Sequence, residues 1–218
     1  MKNKFKAPWP TKAVMEQIYK QHLWGGSGFD FYSGEGSHNQ NITKSYIETV
    51  SSFFQSQNKK LTVCDLGCGD FNIGKNFLGH AEYYYAIDIV ESLIERNKKL
   101  YKATHLEFQC LDISKDNIPQ ADCVILRQVL QHLSNNEIKG ILKKIENYKY
   151  IILTEHIPHG DFMPNKDKIA SQGIRLKQLS GIDLLAEPFN FKVKETELLN
   201  EVILENDNGK IRTLLFTL

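Results

Sequence analysis

Long apolar runs are missing from this chain. No stretch of its 218 residues approaches the length of a membrane-spanning helix. The N-terminus, with lysines at 2, 4 and 6, lacks the apolar core of a signal peptide. Cysteine is scarce as well. The four cysteines stand at 64, 68, 110 and 123, and no second close pair accompanies Cys64 and Cys68, so a zinc site is not expected. Reduced, buried thiols in a cytoplasmic protein are the plain reading. An excess of charge of either sign is absent too. A net charge of +1 removes the basic footprint of a dedicated nucleic-acid binder. Local clusters such as Lys2 to Lys6, Lys98-Lys99 and Lys143-Lys144 read as solvated faces. Internal repeats and low-complexity tracts are also lacking.

What remains is an ordinary globular composition, with 41% hydrophobic and 24% charged residues. The length suits one α/β domain with a modest accessory segment. Residues 1–10 read as a loose lead-in. Val14, Ile18, Tyr19 and His22-Leu23 have helical spacing that ends at Gly25-Gly26, and residues 25–37 form a loop rich in glycine and aromatics. Ile42, Tyr46, Ile47, Val50 and Phe53-Phe54 mark an amphipathic helix. From Leu61 onward short apolar strands alternate with helices, the pattern of parallel βαβ units. Strands are expected at 61–65, 83–88, 105–110, 122–126 and 149–154, and helices near 73–79, 91–101 and 135–147. Ser134 and Glu137 have the spacing of a capping box. The end of the chain reads as two strands, near 190–199 and 210–217, joined through Asn206-Asp207-Asn208-Gly209.

The segment Val63-Cys64-Asp65-Leu66-Gly67-Cys68-Gly69-Asp70 breaks from a strand into a glycine turn. Glycines at i and i+2 let the backbone approach a ligand that a β-carbon would block. Asp65, at the end of that strand, would repel the pyrophosphate of a dinucleotide but suits a ligand carrying an ammonium and a sulfonium, namely S-adenosylmethionine. Asn72 stands where a dinucleotide fingerprint needs a third glycine, which also speaks against nicotinamide binding. Asp88 and Asp112 follow at intervals of 23 and 24 residues, one βα unit each, so three acids line up along the carboxyl ends of the strands. Asp88 is suited to a vicinal diol, and Leu66, Ile89 and Ile113 offer apolar surface to an adenosine.

Together with Tyr85-Ala86-Ile87-Asp88-Ile89 and Cys110-Leu111-Asp112-Ile113, this segment resembles the class I S-adenosylmethionine-dependent methyltransferases over roughly residues 40–218. The resemblance implies a Rossmann-like seven-stranded sheet, mostly parallel with a C-terminal antiparallel hairpin. Residues 1–38 would then form an N-terminal helical cap and 39–218 the methyltransferase domain. It also implies that Gly67 and Gly69 contact the methionine moiety, Asp88 the ribose hydroxyls, and Asp112 with Ile113 the adenine. Asp65, Gly67, Cys68, Gly69, Asp88, Ile89, Asp112, Ile113 and Arg127 are the expected cofactor-binding residues.

Acceptor-facing candidates come from the loops after the fourth and fifth strands. The Asn/Asp-Pro-Pro motif that grips a flipped base is absent, which argues against a nucleic-acid amine as acceptor. Gln131-His132-Leu133 looks like the segment found in small-molecule enzymes of the class. His132 there is either a general base, its unperturbed pKa being near neutrality, or a packing residue beneath the cofactor. The run Glu155-His156-Ile157-Pro158-His159-Gly160-Asp161 reads as a loop that could supply a base, orient a sugar or hold a divalent metal, although a metal is not favoured. His132, Glu155 and His156 are thus the expected catalytic residues. Trp24, Phe29, Phe31 and Tyr32 around residues 33–37 suit either stacking on a sugar and closing a lid, or plain core packing.

With Cys68-Gly69-Asp70, the run from Arg127 to Leu133, and Asn165, Gly173 and Arg175, this loop resembles a set of bacterial methyltransferases, some of which modify sugars of capsules and other surface polysaccharides. A carbohydrate hydroxyl is the acceptor this implies. The alternatives are N-methylation of a small amine or protein side chain, and a non-catalytic cofactor-binding subunit.

Overall fold

The computed structural model describes residues 8–205 and 209–218. Its centre is a seven-stranded sheet of β1 (Leu61–Leu66), β2 (Ala81–Asp88), β3 (Leu106–Cys110), β4 (Cys123–Arg127), β5 (Tyr150–Ile157), β6 (Glu195–Ile203) and β7 (Lys210–Thr217). The spatial order is β3-β2-β1-β4-β5-β7-β6. The first five strands pair in parallel, and β7 runs antiparallel to both β5 and β6. This is the mostly parallel sheet with a closing antiparallel hairpin that the sequence implies.

Central strands covered on both faces must be apolar throughout, and β4, Cys-Val-Ile-Leu-Arg, is buried in its first four residues. Alternate side chains then feed two cores. Cys64, Leu66, Val124 and Leu126 join one that includes α1 (Thr11–Lys20) and α5 (Asn135–Ile145). Val63, Cys123, Ile125 and Ile152 join the other, with Phe77 and a helix over Gln40–Gln55. A single turn, α2 (Glu35–His38), precedes that helix, which is therefore α3; α4 (Glu91–Leu100) links β2 to β3. Ile42, Tyr46, Val50 and Phe54 give α3 one buried stripe at four-residue spacing, and the Asn39 side chain accepts from the Asn41 N–H at its start. The Ser134–Glu137 capping box opens α5 as expected.

Several boundaries move. The helix expected near 73–79 is a tighter 3₁₀ coil over Gly74–His80. β6 begins at Glu195 rather than 190 because its register is set by β7, with Glu195 opposite Thr217. The run at 155–161 is not a loop from its start. β5 continues to Ile157 because β7 pairs with it through Lys210, so Glu155 and His156 are strand neighbours facing opposite ways. The four thiols are free, and all but the half-buried Cys110 are buried. The expected lead-in lies in part, at residues 1–7, outside the described residues, as does the hairpin turn at Asn206-Asp207-Asn208. Among the described residues no helix is long and apolar enough to cross a membrane.

Strand order reverses at β1, with β2 on one side and β4 on the other. Ligands in open parallel sheets bind at such a switch point, beyond the carboxyl ends of the strands. The glycine turn after β1 stands there.

Candidate functional site

A cleft of about 620 Å³ opens at this switch point. Gly67 and Gly69 form its floor with φ of 84° and 56°, a region L-residues avoid. The turn is fastened from below, since the N–H groups of Gly67 and Cys68 both donate to Ile87 O, at 2.8 and 2.9 Å. A β-carbon on Gly67 would lie 2.4 Å from Val129 Cγ2.

Asp88 ends β2 with one carboxylate oxygen accepting from Gly69 N–H (3.1 Å) and the other from Val90 N–H (3.0 Å). Each oxygen keeps a lone pair, and Asp88 lines the cleft, so two further donors such as a vicinal diol fit. Burial pushes its pKa up to about 6, with the backbone hydrogen bonds opposing. Ile89, Leu111 and Ile113 line the cleft beside it as an apolar wall. Asp112 accepts from Ser114 Oγ (2.6 Å), Ser114 N–H (3.0 Å) and Lys115 Nζ (2.8 Å). Burial works against its charge, but Lys115 and Ser114 outweigh this and hold it below the usual carboxylate range. Thr11 of α1 donates to Glu137 of α5 across the mouth of this end.

Asp65 stands elsewhere. It accepts from the Tyr84 hydroxyl at 2.9 Å beneath the glycine turn, and it borders a small internal cavity shared with Arg127 rather than the main cleft. Burial pushes it up to about 7. Cys68 lines the cleft, its thiol held protonated by burial. Arg127 lines both spaces; its guanidinium lies 4.7 Å over the Tyr46 ring and donates to Gly36 O at 2.5 Å.

The N-terminal segment is clasped over the turn. Ser33 Oγ accepts from Asp70 N–H (2.9 Å), and Ser33 N–H donates to Asp70 Oδ2 (3.0 Å). His38 Nε2 meets the same carboxylate oxygen at 2.6 Å. Arg96 forks onto both oxygens of Asp30 (2.8 and 3.0 Å) and also donates to Asp70 O (3.1 Å). Gly69 is needed here twice over, because a β-carbon would lie 2.4 Å from Ser33 Oγ.

His132 and His156 line the opposite end of the cleft with Trp24, Gln128 and Gln131. A chain of hydrogen bonds fixes the His132 ring. His156 N–H donates to Gln131 Oε1 (3.1 Å), so the Gln131 NH₂ group faces His132 Nε2 (3.3 Å), while Nδ1 meets Ser171 O (3.2 Å). A carbonyl can only accept, which places the ring proton on Nδ1 and leaves Nε2 as acceptor. The near-neutral pKa that free histidine offers is not kept. Burial, reinforced by Lys168, drives His132 down to about 4. Glu155 does not reach the cleft. Its two oxygens accept from Leu130 N–H and Gln131 N–H at 3.0 Å each, which seats the short coil Leu130–His132. Burial pushes it up to about 8. Among the described residues no group of three His, Cys, Asp or Glu side chains could hold a metal ion.

The sequence reading passed over Asp70 as a clasp, Gln131 as the partner of His132, and Asn97, whose amide donates to Gly69 O at 2.7 Å. Each acts on a residue 19 or more positions away or through an amide with no sequence signature; the one available hint was the Asp70 that follows the second glycine.

Residues 64–148, from β1 to just beyond α5, match the family model described as a methyltransferase domain. A search of curated proteins found no match to the chain. Among solved structures, the magnesium protoporphyrin IX methyltransferase of Synechocystis PCC 6803, crystallised with bound S-adenosylmethionine, is similar at 16% identity and a TM-score of 0.61, over 97% of this chain and 99% of that one. The N-methyltransferase NodS of Bradyrhizobium japonicum WM9, in complex with S-adenosyl-L-homocysteine, is similar at 10% identity and a TM-score of 0.65, over 94% and 98%. Human N-acetylserotonin methyltransferase, in complex with S-adenosylmethionine, is similar at 16% identity and a TM-score of 0.59, over 96% and 60%. The fold is that of the class I methyltransferases. These three proteins are named for a porphyrin, an N-methylation and an indole amide, and none is named for a carbohydrate.

Proposed function

We propose that this protein transfers the methyl group of S-adenosylmethionine to a hydroxyl of a small polar acceptor, a sugar or sugar nucleotide used in capsule or surface polysaccharide synthesis. The observation that carries the cofactor is Asp88, a buried carboxylate at the switch point that lines the cleft and accepts one backbone hydrogen bond on each oxygen, leaving capacity for two more. Asp88 takes the ribose diol, Ile89 and Ile113 flank the adenine with Asp112 at its edge, and Gly67, Cys68 and Gly69 pass under the methionine moiety. Asp65 and Arg127 support that turn from beneath. Residues 1–38 act as the cap over residues 39–218.

The reaction forms an acceptor O–CH₃ bond as the S–CH₃ bond breaks, and the hydroxyl proton leaves to a base. The sulfonium supplies the activated methyl, so alignment and one proton acceptor suffice. His132 Nε2 takes that role once the acceptor displaces the Gln131 amide, with His156 alongside. Glu155 is a positioning residue that seats the His132 coil. The indole of Trp24, 5.1 Å from the His132 ring, gives a flat apolar face next to polar groups, which suits a sugar ring.

A second reading, N-methylation of an amine, draws on the low basicity of His132, since a neutral amine attacks without a strong base. Calorimetry with S-adenosyl-L-homocysteine tests the cofactor assignment, binding being expected and its absence overturning it. Incubation of labelled cofactor with sugar nucleotides and with small amines separates the two acceptor readings by which class gains the label.

A further inference from the structure

The cleft is electrically divided. Two of its three carboxylates, Asp88 and Asp112, come from the ends of β2 and β3, while the third, Glu137, stands near the start of α5 with Thr11 and Ser134 donating to it. Its two formal cations come from other elements, Arg127 from the end of β4 and Lys177 from the chain beyond β5. Glu155 faces backbone N–H groups and does not line the cleft.

The two cations differ in how far they are committed. Arg127 is held against Gly36 O and the Tyr46 ring, with Asp65 and Glu155 near enough to offset its charge. Lys177 is exposed at the rim, and among the described residues nothing pairs with its ammonium. Its position is nonetheless built. It lies in the turn Arg175–Gln178, and Arg175, only 1% exposed, drives its guanidinium under the site. That group donates to Leu130 O, Gln131 O, Leu133 O, Lys166 O and Asn135 Oδ1 at 2.8 to 3.2 Å. Gln172, in the same segment, donates to Leu23 O of the N-terminal cap. The backbone that carries Lys177 is thus fixed beside the cleft that its side chain lines.

We propose that the methyl acceptor carries an anionic group, a phosphate or a carboxylate, and that Lys177 is the specificity-determining residue that pairs with it. The inference rests on the methyl-transfer reading above and names the acceptor class for it. Selection works by repulsion as well as attraction. An anion turned toward Asp88 and Asp112 meets like charge, so the acceptor enters with its anion toward Lys177 and its hydroxyl toward the methyl group. A neutral acceptor has no such preferred orientation.

The test uses the full chain saturated with S-adenosyl-L-homocysteine, at low salt, with glucose, glucose 1-phosphate and glucuronate as probes titrated by NMR. Wild type is expected to bind one or both anionic probes roughly tenfold more tightly than glucose, the range of one well-placed ion pair. Lys177→Glu should abolish that preference and Lys177→Arg should keep it, with S-adenosyl-L-homocysteine affinity unchanged in both. Which probe wins separates phosphate from carboxylate, either supporting the proposal. Equal affinity for all three probes, or an unaltered preference in Lys177→Glu, overturns it while leaving the methyltransferase reading intact. Failure of wild type to bind S-adenosyl-L-homocysteine overturns that reading and this inference with it.

Discussion

The two ends of the cleft are built in different ways. At the acidic end the groups that matter are held within their own βα units: Asp88 by the N–H groups of Val90 and of Gly69 in the preceding turn, and Asp112 by Ser114 and Lys115. At the basic end, apart from Gln131 on the neighbouring His132, the fixing contacts cross the chain: Glu155 to Leu130 and Gln131, His132 to Ser171, Arg175 to Leu130 and Asn135. Local contacts form with their βα unit and leave a sequence motif. Distant ones exist only once the sheet is assembled. The end assigned to the cofactor is therefore a property of one supersecondary unit repeated, and the end assigned to the acceptor is a property of the whole fold.

The largest effect that would sharpen this division is at His132. His132→Ala should lower turnover of a hydroxyl acceptor by about 10²-fold, the usual scale for losing a proton-accepting side chain. S-adenosyl-L-homocysteine affinity should not change. Retained turnover with an amine would decide for N-methylation, and a matching loss of cofactor affinity would break the division between the two ends. Asp88→Ala is the converse. It should weaken cofactor binding by about 1.5–3 kcal/mol through loss of charged hydrogen bonds, read by calorimetry, and leave acceptor KM at saturating cofactor unaltered.

The same division made one half of the molecule readable. Glycines 67 and 69, the acids Asp88 and Asp112 and the strand that each follows are all short-range patterns, so the parallel core and these cleft-lining residues could be picked out from residue order alone. Asp65 was placed in the right turn but on the wrong side of it, because sequence shows that an acid ends a strand and not which face it takes. Glu155 and His156 were read as part of a loop. Their conformation is decided by Lys210, Ile211 and Arg212 of β7, more than fifty residues away, and no local signal carries that pairing. Burial of His132 is equally non-local, so its pKa could not be foreseen from its type.

Proton binding should separate the ends next. Asp65 and Asp88 have raised folded-state values, about 7 and about 6, so the folded ligand-free protein holds protons that the unfolded chain releases near pH 4. Glu155, at about 8, adds the same sign. Their stabilising contribution is full below the unfolded pKa and lost as pH rises through the folded values. These three groups should therefore lower the Tm of the ligand-free protein as pH rises from about 4 to 8, and Asp65→Asn should flatten the fall up to about pH 7. His132, depressed to about 4, acts oppositely, destabilising as pH falls from about 6.5 toward 4. A diol bonded to Asp88 favours its ionised form, so cofactor binding should release protons near pH 6. Calorimetry in buffers of different ionisation enthalpy measures this, and no release, or release unaltered in Asp88→Ala, would contradict the ribose assignment.

The smallest effect concerns the N-terminal segment, which meets His132 through Trp24 and the glycine turn through Ser33. Its outer clasp, Asp30 to Arg96, joins side chains 56% and 21% exposed, and a pair so wet contributes roughly 0.2–1 kcal/mol. Its inner clasp, Asp70 to Ser33 and His38, involves a carboxylate only 4% exposed. Asp30→Asn should thus raise the dissociation rate of S-adenosyl-L-homocysteine by no more than a few-fold, and salt should reproduce most of the change in wild type. Asp70→Asn should raise it further and resist mimicry by salt, since a buried contact is poorly screened. If both variants behave alike in stopped-flow release, the cap opens as a single body from its outer edge. If only Asp70→Asn has an effect, residues 33–37 are the gate, and the segment around Asp30 merely rests on α4.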